Sequence, residues 1–348
     1  MALVILLVSL LPARSQRLYV NPATGQDTAA GTHGSPLRTV YEAARRINGF
    51  DSAGPAEIIL TKGIHAINET VLFKKDRFTN DARLRIRSEI LPDDSNWSPE
   101  QMPVVITVMP TSPDAGGEQA IGLQIEVSHV SIEGLRFTGT PHSPFMADKK
   151  VRRTYPVWRG GKDLDDLVVS QCLFTGDADV LPLHLGIIAN GSGLVVDHCV
   201  FYNCKNSVVY WRVNNGNSHG NSMRFCLVYG GYFSGIWTTN QTDGDDFIFD
   251  HNILANCKAA WIRENGSTQA FKATNSIFSN NEYLSGFGSG AASVINKDST
   301  HFLLTQNVSF DRPIVIEKDP SKRNYLQLAK GSDGNEIQAG LFKIKKFE

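Results

Sequence analysis

The chain has 348 residues, enough for two average domains or for one long repeat fold. Hydrophobic residues make up 41% and charged residues 20%, and 34 Lys and Arg nearly balance 35 Asp and Glu. That composition excludes a disordered tail protein and a generic nucleic-acid binder, and the longest apolar run, Ala2 to Leu11, is too short to span a bilayer as a helix.

In chain order, that run comes first. Followed by Pro12 and Ala13-Arg14-Ser15, it reads as the apolar core and small-residue cleavage site of a secretory signal peptide, with cleavage near Gln16. The expected organisation is a signal over 1–15 and one domain over 16–348, in a secreted, periplasmic or cell-surface protein without a membrane-inserting segment or a nucleic-acid partner, read as a monomer. Five cysteines follow (Cys172, Cys199, Cys204, Cys226, Cys257), an odd number for an exported disulfide framework.

Next come Leu18-Tyr-Val-Asn-Pro-Ala-Thr-Gly-Gln-Asp27, Gly31-Thr32, Ser35-Pro36-Leu37 and Thr39-Val-Tyr-Glu-Ala-Ala44. Thr39 with Glu42 forms a capping box, and Val40, Ala43, Ala44 and Ile47 share one face of a short helix. Such a helix would cover the open end of a stack of strands. The stretch resembles the opening of secreted right-handed β-helix proteins of the pectate-lyase-like superfamily, which includes polysaccharide lyases and glycoside hydrolases. Glu57 to Leu60, the turn at Gly63 to His65 and Val71 to Phe73 read as a first coil, and protruding loops are expected across 76–120 around short strands at Leu84 to Ile86 and Val104 to Val108.

From residue 130 one pattern recurs: an apolar residue, two variable positions, a Cys, Asn or Ser, one variable position and a large apolar residue. Its copies are Ile132..Leu135.Phe137, Val169..Cys172.Phe174, Val196..Cys199.Phe201, Met223..Cys226.Val228, Phe249..Asn252.Leu254, Ala273..Ser276.Phe278 and Leu304..Asn307.Ser309. The middle positions are 37, 27, 27, 26, 24 and 31 residues apart, which excludes fixed-length helical repeats. Short Val, Ile and Phe strands broken by Asn and Gly turns indicate an all-β, right-handed parallel β-helix, in which equivalent residues of successive coils stack about 4.8 Å apart. Three columns are expected: Phe137, Phe174, Phe201, Leu254 and Phe278; Ile132, Val169, Val196, Met223, Phe249 and Leu304; and Cys172, Cys199, Cys226, Asn252, Ser276 and Asn307. In such a column Cys is a small buried apolar residue, and a Cβ spacing of about 4.8 Å is too wide for good disulfide geometry. Cys204 and Cys257 share a position two coils apart, too far to bridge. His198 and His251, after Asp197 and Asp250, recur at one repeat position and so read as repeat structure rather than a catalytic dyad.

A second strand follows each core pattern. Counted from the ladder residue, Tyr210, Trp237 and Arg263 fall in one column, Trp211, Thr238 and Glu264 in the next, and Arg212, Thr239 and Asn265 in the third. Aromatic plates beside Arg and carboxylate suit a carbohydrate groove, to which Asn240, Gln241 and, upstream, Trp158 and Arg159 would contribute. The segment Asn256-Cys-Lys-Ala-Ala-Trp-Ile-Arg-Glu-Asn-Gly266, with Trp237-Thr-Thr-Asn-Gln-Thr242 before it, is similar to the active-site coils of the chondroitinase B and alginate lyase family. That resemblance implies Arg263 as catalytic Arg and calcium as the one cofactor to consider, and it fixes none. Gln241 stands where the family has its catalytic Lys, Ser234 to Trp237 stand where it has acidic calcium ligands, and Gln cannot abstract a proton.

Two chemistries fit these residues. Elimination from a uronate needs a cation for the carboxylate, Arg263 or Arg212, and a base, His219, Tyr210, Lys258 or an unprotonated Arg. Hydrolysis needs two carboxylates, for which Asp243, Asp245, Asp246 and Glu264 are candidates. The expectation is a polysaccharide lyase acting on an anionic chain, with hydrolysis second and a non-catalytic carbohydrate-binding surface protein third.

Overall fold

The computed structural model describes residues 16–51, 54–108, 119–141, 153–211, 216–288, 295–297 and 302–344. The expected signal segment and Arg212 lie outside the described residues. The chain winds into a right-handed parallel β-helix whose coils each contribute one strand to each of three sheets. A representative coil places Leu194–Asp197 in sheet I, Val200–Tyr202 in sheet II and Asn206–Tyr210 in sheet III; the next coil repeats this with Ser222–Arg224, Leu227–Tyr229 and Ser234–Thr238. Among the described residues the sheets have ten, nine and nine strands, all paired in parallel except Tyr283–Gly288 with Asn296–Lys297 at the end of sheet III. No helix among the described residues is long and apolar enough to cross a membrane.

The corners explain the repeat. At the turn from sheet I to sheet II one residue per coil takes the left-handed conformation: Gln171, His198, Phe225, His251, Asn275 and Asn307, with φ between 46° and 53°. The next residue then points inward, which buries Cys172, Cys199, Cys226, Asn252 and Ser276 completely or nearly so. The cysteines are free, and their thiols donate to nearby carbonyls, as Cys226 Sγ does to Arg224 O at 3.1 Å. Asn252 ties adjacent coils by accepting from Cys226 N and donating to Met223 O. Left-handed backbone is strained for His and Phe. Here the rings of His198, Phe225 and His251 stack on one another at 4.8 and 4.9 Å, an offsetting contact at the corner.

The apolar columns have the expected partners: Phe137, Phe174 and Phe201 are in register, with ring centroids 4.9 and 4.7 Å apart, and the column continues through Val228 and Leu254 to Phe278. The last coil corrects the expected alignment. Asn307 occupies the left-handed corner rather than the inward ladder, so Val308 packs on the core, and Phe249 aligns through Ala273 with Thr305. Leu304 is shifted by one residue to the outer face and is 57% exposed, while Leu303 is buried.

At the other end, helix Val40–Gly49 covers the first coil with Val40, Ala43, Ala44 and Ile47 buried. Only half of the expected capping box forms. Thr39 Oγ1 accepts from Glu42 N, but Thr39 N donates to Asp27, and the Glu42 carboxylate is held by Arg45 and Arg46, which keep its pKa at about 2. The C-terminal segment folds back over the outer face of sheet II, where Ile314, Ile316, Leu326 and Leu341 pack on Leu227, Ile253 and Ile277.

Candidate functional site

Sheet III carries a local irregularity that shapes its outer face. Its strand pairings pass over Gly186, Ser207, Gly235 and Ala260, so that two successive residues face inward in each strand, as in Gly186 with Ile187 and Ala260 with Trp261. Small residues fill the first of the two places because space is short there: a Cβ on Gly186 would lie 2.6 Å from Ser207 O and 3.3 Å from the Phe201 ring. Outward residues are consequently three apart rather than two, a bulge repeated coil after coil. Two outer rows result, one with Leu185 and Asn206, the other with Trp158, Ile188, Val209, Trp237 and Ile262.

These rows line a groove of about 290 Å³. Its floor and walls are apolar and aromatic, from Tyr155, Trp158, Phe233, Trp211 and Trp237. One end, where the strands begin, is basic, with Arg153, His184 and Lys205; Asn206, beside them, donates to His184 O and accepts from Ser234 Oγ. His184 Nδ1 accepts the Thr154 backbone N–H at 3.2 Å, which leaves the ring proton on Nε2. Burial, with Lys205 and Arg153 adding to it, lowers the His184 pKa to about 4, so the ring is neutral at pH 7. Burial and Arg153 also lower the pKa of Lys205, whose Nζ lies 5.8 Å from the centre of the Phe233 ring. The Tyr155 phenol shifts the other way, raised chiefly by burial. Among the described residues, no carboxylate lines this groove.

The chain shares this architecture with solved structures. A rhamnogalacturonan lyase aligns with TM-score 0.53 at 13% identity, over 78% of this chain and 70% of its own. Pectate lyase Pel9A aligns with TM-score 0.53 at 12% identity, over 92% of this chain and 91% of its own. The shared fold is a right-handed parallel β-helix. No protein-family model matches the chain, and no curated protein does. At these identities the likeness is one of fold, so the chemistry must be read from the residues.

The residues expected at the site fall in three places on this β-helix. Trp158, Trp211 and Trp237 do line the groove. Tyr210, Arg159 and Arg263 do not: they share an inward column with Ala189 and Thr238. Tyr210 donates to Ser222 O, Arg159 donates to the carbonyls of Asn190 and Ser192, and Arg263 donates to Gln269 O with its guanidinium between the Phe287 and Phe302 rings, 4.6 and 4.4 Å from their centres. Tyr210 and Trp237 therefore belong to different columns. Four residues separate Tyr229 from Ser234, where the neighbouring coils have three, and the extra one, Phe233, forms a bulge in which Phe233 N and Ser234 N both donate to Lys205 O, moving Trp237 to the outer face.

The third place is the outer turns beyond the strand ends. His219 Nδ1 lies 3.1 Å from Asp243 and 3.6 Å from Asp246, and these three residues could offer ligand atoms to a cation within 4.8 Å of one another. Their carboxylates already serve the turns, Asp243 accepting from Asp245 N and Asp246 from Gly220 N. Asn240 donates its N–H to Glu264, and Gln241 O accepts from Ser218 N. None of these turn residues lines the groove.

The expected set lacked the basic end, although a signal for it was present. Asn203-Cys-Lys205 recurs as Asn256-Cys-Lys258, which places each Lys immediately before a sheet III strand. His184 and Arg153 have no such repeat.

Proposed function

We propose that the protein is an exported polysaccharide lyase that cleaves a uronate-containing chain by β-elimination in the groove of sheet III. The observation that carries this reading is the composition of the groove among the described residues: a basic end, aromatic walls and no carboxylate. Hydrolysis across a glycosidic bond requires two carboxylates. Elimination requires a cation for the sugar carboxylate and a base for the C5 proton, and cations are what the groove holds.

In this mechanism Arg153, always charged, pairs with the carboxylate and draws off the negative charge that develops when C5 loses its proton. Lys205 is the base, since its lowered pKa increases the unprotonated fraction. The C5–H pair forms the C4–C5 double bond as the C4–O bond breaks, and the neutral phenol of Tyr155 gives its proton to the leaving oxygen. Neutral His184 donates Nε2–H to a substrate oxygen. Trp158 and Trp237 offer ring faces to sugars.

The test is incubation with uronate polysaccharides, following the ultraviolet absorbance of the unsaturated sugar end. Lys205→Ala should lower kcat by at least about a hundredfold, the usual contribution of a positioned base. Elimination at the wild-type rate in Lys205→Ala would remove it from the mechanism. A second reading, hydrolysis by Asp243 and Asp246, is favoured only by the closeness of their oxygens. It predicts new reducing ends without that absorbance, lost in Asp243→Asn.

A further inference from the structure

Two polar atoms in the groove stand out. Trp237 Nε1 and Asn190 Oδ1 are buried and have no hydrogen-bond partner among the described residues. The Asn190 amide orientation is fixed, because its Nδ2 donates to Gly160 O at 2.9 Å, so the oxygen is the end left over. Buried polar groups are almost always satisfied, and a lone donor and a lone acceptor in one groove match a ligand that both accepts and donates. A sugar hydroxyl does both.

Asn190 lies away from the basic end, and the Trp237 ring stands between, 6.1 Å from the Phe233 ring whose centre is 5.8 Å from Lys205 Nζ. Asn190 follows the strand Leu185–Ala189, whereas His184 precedes it, and Trp211, one coil on from Asn190, has its ring 6.0 Å from that of Trp237. Six positions at about 3.3 Å per residue separate His184 from Asn190 by up to ~20 Å, more than one sugar ring spans. Near Asn190 a bound carboxylate would meet the amide oxygen and indole walls and, among the described lining residues, no cation, an unfavourable burial. A uronate therefore suits the basic end and not this one.

We infer that the groove selects a mixed chain, in which the uronate at Arg153 and Lys205 is joined to an uncharged sugar whose hydroxyls engage Trp237 Nε1 and Asn190 Oδ1. This rests on the lyase reading for its chemistry but not for its binding preference, and the two are tested apart. Titration calorimetry would compare oligosaccharides that alternate uronate with neutral sugar against homo-oligouronates of equal length. Turnover would be followed on the corresponding polymers.

The mixed chain should bind and turn over at least about tenfold better, the value of one well-made hydrogen bond to a buried group. Trp237→Phe, which keeps a ring and removes the N–H, should erase most of that preference by raising KM for the mixed chain, and Asn190→Ala should do the same from the acceptor side. Equal or better binding of the homo-oligouronate overturns the inference, as does a preference that survives both substitutions in folded protein. Preferential binding of the mixed chain without cleavage would support it while sinking the lyase reading.

Discussion

His184→Asn isolates the electrostatics of the basic end. Asn keeps an acceptor for the Thr154 N–H that His184 Nδ1 receives, and it does not titrate. In the native protein burial, Lys205 and Arg153 bring the His184 pKa from 6.5 to about 4. An unfolded chain therefore binds this proton near pH 6.5 and the folded chain only near pH 4, so stability is full above pH 6.5 and falls as pH drops through that window. At 1.36 kcal/mol per unit the loss by pH 4 is about 3 kcal/mol. Urea unfolding of wild type and His184→Asn at steps from pH 7.5 to pH 4 reads it directly, since groups common to both chains cancel in the difference. The wild type should converge on the variant, or fall below it, by about that amount. Parallel curves, or an imidazole proton resonance of His184 titrating near pH 6.5, would refute the placement of this ring beside two cations in a closed groove.

Three further outcomes follow from the packing. Arg263→Met should lower the melting temperature, because a desolvated cation between two rings contributes about 2 kcal/mol, yet leave kcat within about twofold; loss of turnover in folded Arg263→Met would return Arg263 to the site. Gly334 has φ near 90°, and a Cβ there would meet Ile253 at 2.8 Å, so Gly334→Val should lift the C-terminal segment from sheet II and make it the first site of limited proteolysis, with a loss of about 1–3 kcal/mol; unchanged cleavage kinetics would contradict the tail's docking. Gly186→Val forces a side chain against Ser207 O and the Phe201 ring and should destabilise by at least about 2 kcal/mol in chemical unfolding, whereas a neutral result would mean that Gly186 does not face inward.

The fold was readable because stacking imposes like on like. Phe137, Phe174 and Phe201 are three rungs of one contact, and Cys172, Cys199 and Cys226 are three fillings of one corner, so each copy in the sequence supported the others. Counting residues from the ladder worked while turns kept their length, and it failed at two places. The extra residue at Phe233 carried Trp237 to the opposite face from Tyr210, and the shifted last coil moved Leu304 outward. Face is decided by single-residue register, which a period of two reverses with every insertion. Arg263 and Arg159 were misleading for a related reason. An Arg in an apolar strand suggests a binding surface, but these two are held inside by carbonyls and, for Arg263, by aromatic rings.

What stacking makes readable is the part of the β-helix that repeats, and a binding site is the part that cannot. His184 and Lys205 immediately precede the paired residues Leu185 and Asn206, and Arg153 stands close enough to depress both pKa values. Like charges on adjacent rungs cost stability in any sheet. A scaffold built only to stack would place an acid or an amide there, as it does elsewhere in the same molecule: Glu57 sits between Arg17 and Arg87, and Asp166 is shared by Arg83 and His129. The basic end of the groove has no such partner among its described lining residues, which is the arrangement an anionic ligand would complete. The Trp237 N–H and the Asn190 oxygen repeat the argument in uncharged form farther along the groove. Both are places where the regular pairing of the fold is left incomplete on one face of one sheet, and that shared incompleteness separates the groove from the His219 cluster, whose acids are already engaged by their own turns.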